Sequence, residues 1–200
     1  YALRDVTGTV ASIPLITASI MSKKLAIKVD GLVFDVKCGT GAFMRTLEQA
    51  RQLAHSLMRV GHSMNRRMAA LITDMNQPLG ASVGNSVEVY ETIEVLKGRG
   101  PSDVRKLTIE LTAWMAFLSG AFTSLDDARS KLTGNLTNGA ALEKFRQMVT
   151  AQGGNPRVAD DPDVRSMWNA GVRGLDRLVR RNREEPVVKD VDMRGAAGVD

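Results

Sequence analysis

The sequence is poor in several features that would place it in a particular class of protein. Its single cysteine, Cys38, cannot form a disulfide within the chain, and this favours a reducing compartment, so we expect the cytoplasm. No apolar run approaches the roughly 18 residues of a membrane-spanning helix, so we expect no membrane partner. The chain starts at Tyr1 without an initiator methionine or a signal-peptide pattern, and we expect the natural N-terminus to lie upstream.

Aromatic residues are also scarce, at 4% of the chain, although 27 Lys and Arg against 22 Asp and Glu give a formal net charge of +5. Nucleic-acid binders usually concentrate basic charge on one face or along one helix. Here the basic residues are scattered until the run at 173–183. We therefore expect no nucleic-acid partner. A non-catalytic helical module that binds anions or nucleic acid is an alternative that rests on the charge and on this run.

The first half of the chain has the pattern of a βαβ unit. The apolar run at 31–36 lacks alternation, which predicts a strand covered on both faces, and the run at 68–73 predicts a second one. Between them, Thr46 and Gln49 have the spacing of a capping box ahead of a helical repeat of apolar residues. We expect this helix to end near Gly61. A strand, a helix and a strand in this order indicate a right-handed parallel crossover.

The second half is predicted to be mostly helical. The segment 76–80 forms a loop at the carboxyl end of the second strand, where open parallel sheets bind ligands. Helices are expected at roughly 86–97, 102–119, 124–135 and 139–151. A basic helix is predicted at 172–183 and an extended segment at 186–200.

A helix predicted from Ser12 to about residue 26 carries polar groups on an otherwise apolar rod. At about 100° per residue, Ser19 and Lys23 lie on one line, with Ser22 beside them. One interpretation is structural, because cations favour a helix C-terminus and Ser19 can bond to its own backbone. The other is that Ser19 and Lys23 face a polar ligand. The residues alone leave both open.

Four sequence words follow one another at close spacing. They are YALRDVT at 1–7, SIPLITASIMSKKLA at 12–26, DVKCGTGAFM at 35–44 and TDMNQPLG at 73–80. Together they resemble the thymidine phosphorylase and pyrimidine-nucleoside phosphorylase family over about residues 1–157. The resemblance implies an α/β protein with the nucleoside-phosphorylase/phosphoribosyltransferase-like fold. This fold has a small all-helical domain and a mixed α/β domain, and we expect it here in a truncated, helix-rich form.

By this resemblance, residues 1–26 are the last helices of the small domain, 27–30 a connector and 31–157 part of the α/β domain. Residues 158–200 match poorly. Family members hold phosphate mainly with segments that precede the arginine word, and these segments and the C-terminal region are absent from this sequence. We therefore expect the chain to carry the base half of an active site and to be inactive by itself. The full-length protein is expected to form a homodimer.

Family members cleave a pyrimidine nucleoside with inorganic phosphate as co-substrate, reversibly and without an organic cofactor. Thymidine, for example, gives thymine and 2-deoxyribose 1-phosphate. The resemblance implies that Arg4, Ser19 and Lys23 bind the pyrimidine and that Arg4 and Lys23 are catalytic. Arg and Lys donate to the base carbonyls, and a serine hydroxyl accepts from N3–H. The cations stabilise the negative charge of the departing base. The sequence does not decide between thymidine alone and a broader range of nucleosides.

Further residues are implied by the same resemblance. The walls of the base site are matched by four apolar residues, Val10, Ile16, Ile20 and Phe43. Ordinary core packing is the alternative role for these residues. Some bacterial members bind potassium, for which Leu79 and Ser82 would offer backbone carbonyls and Glu91 a carboxylate. Oxygen ligands suit such a hard cation. An ordinary loop and helix start is the alternative for these three residues.

Other candidates are weaker. The turn Gly39–Gly41 follows a strand, but a lone GxG lacks the further glycine of a phosphate-binding loop. Asp35 and Asp74 are expected to end strands, where they could bind a ligand, but turn capping is the favoured role. A phosphoribosyltransferase of the same fold superfamily is the enzymatic alternative, although no acidic pair for Mg²⁺ stands out.

Overall fold

A computed structural model of the chain describes residues 2–160 and 190–191. Its helices are α1 (Ala2–Val6), α2 (Ile13–Ala26), α3 (Leu47–Ser63), α4 (Asn85–Leu96), α5 (Ser102–Leu118), α6 (Leu125–Thr137), α7 (Ala140–Ala151) and the 3-10 helix Pro156–Ala159. Its strands are β1 (Gly31–Cys38), β2 (Arg67–Asp74) and β3 (Asp190–Val191). The mixed, helix-rich α/β class is confirmed. The basic helix predicted at 172–183 lies outside the described residues, as does most of the segment predicted at 186–200.

The chain divides into two compact units. The first comprises Tyr1–Gln77, Leu111–Leu125 and Pro186–Asp200. The second comprises Pro78–Glu110 and Asp126–Glu185. The division of the chain into 1–26, 27–30 and 31–157 stays a prediction.

The first unit is built on the predicted βαβ arrangement. Strands β1 and β2 are parallel, in register from Gly31 opposite Arg67 to Cys38 opposite Asp74, and α3 connects them. Strand β3 pairs antiparallel with β2. Residues 68–73 of β2 are all buried, as expected for a strand that is covered on both faces.

Two apolar clusters cover the two faces of this sheet. On one face, α2 and α3 pack against alternate strand residues, with Met21, Leu57 and Met68 at most 4% exposed. On the other face, Leu71 packs with Trp114. Burial of this size stabilises each side chain by about 1.5–3 kcal/mol, so these clusters are the principal support of the unit.

Helix α3 has the predicted start but runs past the predicted end. The Thr46 hydroxyl accepts from the Gln49 amide, and the Gln49 side chain accepts in turn from the Thr46 amide, both at 3.3 Å. This capping box is confirmed. Gly61 does not end the helix, which continues to Ser63. Instead Gly61 is buried against Met68, and a Cβ at this position would collide with the methionine sulfur. The glycine thus permits close packing of the helix on the strand.

The second unit is helical, and the described helices end within two residues of the predicted bounds. Ile93, Leu142 and Ala159 form its apolar cluster. Arg129 joins α5 to α6, because its guanidinium lies 2.6 Å from a Glu110 oxygen and 2.8 Å from an Asp126 oxygen. In the part of the chain that the structure describes, every helix is too short or too polar to cross a membrane.

Candidate functional site

A cavity of about 440 Å³ lies within the first unit. Its walls come from α1, α2, β1 and α3 and from the segments that follow α1, β1 and β2, and they are mainly apolar. Six of the seven residues predicted to surround the base line it: Arg4, Val10, Ile16, Ser19, Ile20 and Phe43. Phe43 does so although it is 70% exposed. The structure therefore brings together residues from three separate sequence words.

Helix α2 presents one side to the protein and another to the cavity. Pro14 lies in its first turn, where the missing N–H costs nothing. Thr17, 4% exposed, donates from its hydroxyl to the Ser56 hydroxyl of α3 at 3.0 Å. This bond and the burial of Met21 fix the rotation of the helix. Ser19, half-buried, is thereby turned toward the cavity.

Arg4 has both a structural contact and a place in the cavity lining. Its Nη2 atom donates to the Val10 carbonyl at 2.8 Å and more weakly to the Thr9 carbonyl at 3.4 Å. These bonds close the turn after α1 and hold Val10 beside the cavity. The guanidinium also carries N–H groups on Nε and Nη1, so the bonds to the turn use only part of its donors.

Lys23 is the predicted residue that the structure does not place in the cavity lining. It lies one turn after Ser19, near the end of α2, and is exposed. Its neighbour Ser22 is also exposed and donates to the Ser19 carbonyl at 3.3 Å. The structure thus places Arg4 and Ser19 in one cavity, whereas the convergence of all three groups on a base stays a prediction.

A polar cluster that the sequence did not reveal lies on β1 and β2. Asp35 was expected to end a strand and cap a turn, which is wrong, because it lies inside β1. One of its oxygens is 2.6 Å from the Lys37 ammonium and the other accepts from the Thr73 hydroxyl at 2.5 Å. Lys37 also donates to that hydroxyl at 3.0 Å. Asp35 and Lys37 contribute to the cavity lining. The signal in the sequence that could have revealed this cluster was the pair of charged residues, Asp35 and Lys37, two positions apart within an apolar strand.

The turns after the strands are stabilised by bonds within the protein. Asp74 accepts from the Asn76 amide at 3.2 Å, so its predicted capping role is confirmed. The three backbone amides of Gly39–Gly41 donate to oxygens of Met44, Asn76 and Met75 at 2.8–3.0 Å. Since these amides already have acceptors, the structure gives no support to a phosphate-binding loop at this turn.

The loop predicted to hold potassium lies in the second unit. Glu91 accepts from the Ala81 amide at 2.7 Å, which places its carboxylate directly at this loop. Ser82 is 4% exposed, and its buried Oγ atom has no hydrogen-bond partner among the described residues. Leu79 is 41% exposed. A carboxylate, a buried hydroxyl and backbone carbonyls are oxygen donors of the kind that suits a hard cation.

The same loop is held by a second carboxylate that sequence reasoning missed. Asp103, 5% exposed, accepts from the Gly80 amide at 3.0 Å. An acidic residue in the first turn of a helix is common, because it complements the helix dipole, and so it gives no sign of such a contact. The described residues contain no group of three or more His, Cys, Asp or Glu side chains that could hold a metal ion. A cation at this loop would therefore depend on backbone and hydroxyl oxygens as well.

Comparison with known proteins defines the class. Residues 1–142 match the family described as "Glycosyl transferase family, a/b domain", and the chain belongs to this family. The pyrimidine-nucleoside phosphorylase of Staphylococcus aureus strain USA300 is 51% identical to it over 163 residues, which are 82% of this chain and 38% of that protein. The proteins of the same name from strains NCTC 8325 / PS 47 and bovine RF122/ET3-1 match equally well. The family resemblance is confirmed, and the chain spans about 38% of the length of these relatives.

Proposed function

We propose that the complete protein is a pentosyltransferase that cleaves pyrimidine nucleosides with inorganic phosphate, giving the free base and a pentose 1-phosphate. The observation that carries the proposal is the shared cavity of Arg4 and Ser19. A pyrimidine has two apolar faces and a polar edge, and this cavity combines mainly apolar walls with a few donors and acceptors. The relatives that are 51% identical are named pyrimidine-nucleoside phosphorylases, which supports the same assignment.

The proposed mechanism is electrostatic. When the glycosidic bond breaks, the sugar gains positive charge and the base departs with negative charge. Arg4 donates to one base carbonyl, the Ser19 hydroxyl accepts from N3–H, and Lys23 donates to the second carbonyl. Because the charge on the carbonyls grows as the bond breaks, these cations bind the transition state more strongly than the substrate. Phosphate then attacks the sugar carbon, and the protein supplies no covalent nucleophile.

We propose that a potassium ion binds at the Leu79 and Ser82 carbonyls and the Glu91 carboxylate. The buried Ser82 hydroxyl and the position of Glu91 at the Ala81 amide support this donor set. When bound, the ion would supply a fixed positive charge that compensates the Glu91 carboxylate. The role of Leu79, Ser82 and Glu91 is to fix the shape of the loop.

We further propose that the complete protein is cytoplasmic and forms a homodimer through its helical N-terminal part. Helix α1 and the start of α2 expose apolar side chains, with Leu3 77%, Val6 87% and Leu15 43% exposed. Where exposed apolar side chains form one contiguous patch, that surface is typically covered by a partner.

The test is phosphate-dependent release of the base by the complete protein from thymidine, uridine and deoxyuridine. Release that requires phosphate is expected, and the relative rates would define the specificity for the base and the sugar. Arg4→Ala and Lys23→Ala should each lower turnover by about 10²–10³-fold if they act as donors to a developing anion. Lys24→Ala is the matched control, since this exposed neighbour has no assigned role. Absence of phosphorolysis, or near-normal turnover in either variant, would contradict the proposal.

A further inference from the structure

The proposed function assigns no role to Asp103, although its carboxylate is buried at the loop before α4. Asp103 is 5% exposed, and one of its oxygens accepts from the Gly80 amide at 3.0 Å. Glu91 accepts from the next amide, that of Ala81, at 2.7 Å. Two carboxylates on different helices thus bind consecutive amides of one loop.

These contacts determine the backbone shape of the loop. Gly80 has a φ of +76°, in the left-handed region that favours glycine. A Cβ at this position would collide with a Glu91 oxygen and lie 3.1 Å from the Val104 side chain. The loop therefore has little space in which to change shape while Glu91 and Asp103 are in place.

The next polar group along the loop, the Ser82 hydroxyl, is buried. Ser82 is 4% exposed, and its Oγ atom makes no hydrogen bond with any described residue. Buried hydroxyls in folded proteins almost always have a partner, so this one indicates a bound group. The carboxylates of Glu91, half-buried, and Asp103, buried, bind the two preceding amides of the same loop. Carboxylate and hydroxyl oxygens together suit a hard cation, which indicates that the group is a cation.

We propose that Asp103 is a positioning residue for a monovalent cation held at Leu79, Ser82 and Glu91. Its role is to fix the Gly80 amide, and with it the direction of the loop oxygens, without itself binding the ion. Groups that orient ligands in this way typically change metal affinity by about 10–100-fold when they are removed. The inference rests on the cation site of the proposed function, but its test does not depend on phosphorolysis.

The experiment measures the thermal unfolding midpoint of the complete protein as KCl replaces LiCl at constant ionic strength. A ligand that binds the folded state raises this midpoint, and the concentration dependence gives its affinity. Asp103→Ala should require about tenfold more K⁺ for the same increase. Asp103→Asn keeps an oxygen that can accept from Gly80, so it should stay within about twofold of the unchanged protein if the role is positioning alone.

Glu88→Ala is the matched control, because Glu88 also accepts from a glycine amide, that of Gly84 at 3.0 Å, but in an exposed position. Its K⁺ dependence should equal that of the unchanged protein. If Asp103→Ala does not fold, Asp103→Glu takes its place in the experiment. We expect Asp103→Glu to weaken K⁺ binding as well. The inference is overturned if the unchanged protein does not respond to K⁺, if Asp103→Ala or Asp103→Glu responds normally, or if Asp103→Asn is as weak as Asp103→Ala. Phosphorolysis measured in parallel reports separately on the proposed function.

Discussion

In the first unit, Arg4 and Ser19 line a cavity with mainly apolar walls, whereas in the second unit Glu91 and Asp103 bind the backbone of a loop. The cavity is surrounded by elements whose position is set by an apolar core, in which Leu57 and Leu71 are at most 2% exposed. The shape of the loop is held by hydrogen bonds from its Gly80 and Ala81 amides to the side chains of Asp103 and Glu91.

The two sites should be sensitive to different substitutions. A site made of side chains on a rigid core should keep its shape when one polar group is lost, since the remaining walls stay in place. A site made of backbone oxygens should fail when the backbone moves, even if every ligand residue is kept. Substitutions in the two units can therefore test whether this contrast holds.

The largest effect is expected for Gly80→Ala. The left-handed conformation costs a residue with a Cβ about 1–2 kcal/mol, and the collision with Glu91 adds an overpacking cost of about 1–3 kcal/mol. Together they should lower the free energy of unfolding by roughly 2–5 kcal/mol. Urea-induced unfolding of the complete protein measures this loss.

Gly153→Ala is the matched control in the same unit. Gly153 has a φ of +78°, but nothing lies within 4 Å of its Cβ position, so it should cost only about 1–2 kcal/mol. Equal losses of the free energy of unfolding for Gly80→Ala and Gly153→Ala would show that Glu91 does not confine the loop. The expected contrast between the cavity and the loop would then be wrong.

A smaller effect is expected in the cavity for Ser19→Ala. The hydroxyl bonds to the base in the substrate and in the transition state alike, so its loss should raise KM with little change in kcat. A hydrogen bond contributes about 0.5–1.5 kcal/mol, which corresponds to at most about a tenfold change in KM. Steady-state phosphorolysis measures this change. Ser22→Ala, at an exposed position on the same helix, should leave both constants unchanged, and a fall in kcat for Ser19→Ala alone would contradict the proposed role.

Much of the fold could be predicted from the sequence because local signals agreed with the final structure. Thr46 and Gln49 form the predicted capping box, and the apolar run around Leu71 forms the predicted covered strand. The local pattern predicts a helix end at Gly61, because glycine often follows the last residue of a helix. Its actual role, close packing on Met68, depends on a strand that follows in the chain and could not be read locally.

The site could be predicted only through the sequence words that resemble the family. Arg4 and Ser19 were identified through the family resemblance, and the structure brings them to one cavity. The contacts of Asp35 with Thr73 and of Asp103 with Gly80 span 38 and 23 residues. A pair at such separation has no local pattern, because it arises only when the elements pack. The fold of the chain, and not its composition, creates these contacts.

Thr46→Ala tests whether the cavity keeps its shape when one of the helices that line it is destabilised. Loss of an N-cap hydroxyl typically costs about 1 kcal/mol, and α3, which Thr46 caps, contributes Leu53 and Leu57 to the cavity lining. We expect the free energy of unfolding to fall by that amount while KM for the nucleoside stays the same. Thr133→Ala, at an exposed position within α6, should instead raise the free energy of unfolding by about 0.5 kcal/mol, because alanine has the higher helix propensity. A raised KM for Thr46→Ala would show that the cavity responds to its supports in the same way as the loop.

The smallest effect is expected for the ion pair of Arg129 with Glu110, measured by a double-mutant cycle in the second unit. The Arg129 side chain is 37% exposed, so solvent screens the pair, and we expect a coupling of about 0.5–1 kcal/mol. The hydrogen bond to Glu110 raises the pKa of Arg129. Because the folded-state value lies above the unfolded one, this contribution is complete at neutral pH and is lost only as the pH rises through the raised value. The coupling should therefore be equal at neutral and mildly alkaline pH.

The more exposed pair of Arg146 with Glu143, 3.3 Å apart, is the control for this cycle and should show a smaller coupling of about 0.3 kcal/mol. Arg129→Lys sharpens the measurement, because a lysine cannot donate to both Glu110 oxygens as the guanidinium does at 2.6 and 2.8 Å. If Arg129→Lys kept the full coupling energy, the two hydrogen bonds of the guanidinium to Glu110 would not be its source. A coupling of several kcal/mol would instead mean that side-chain contacts support the second unit as strongly as apolar burial supports the first.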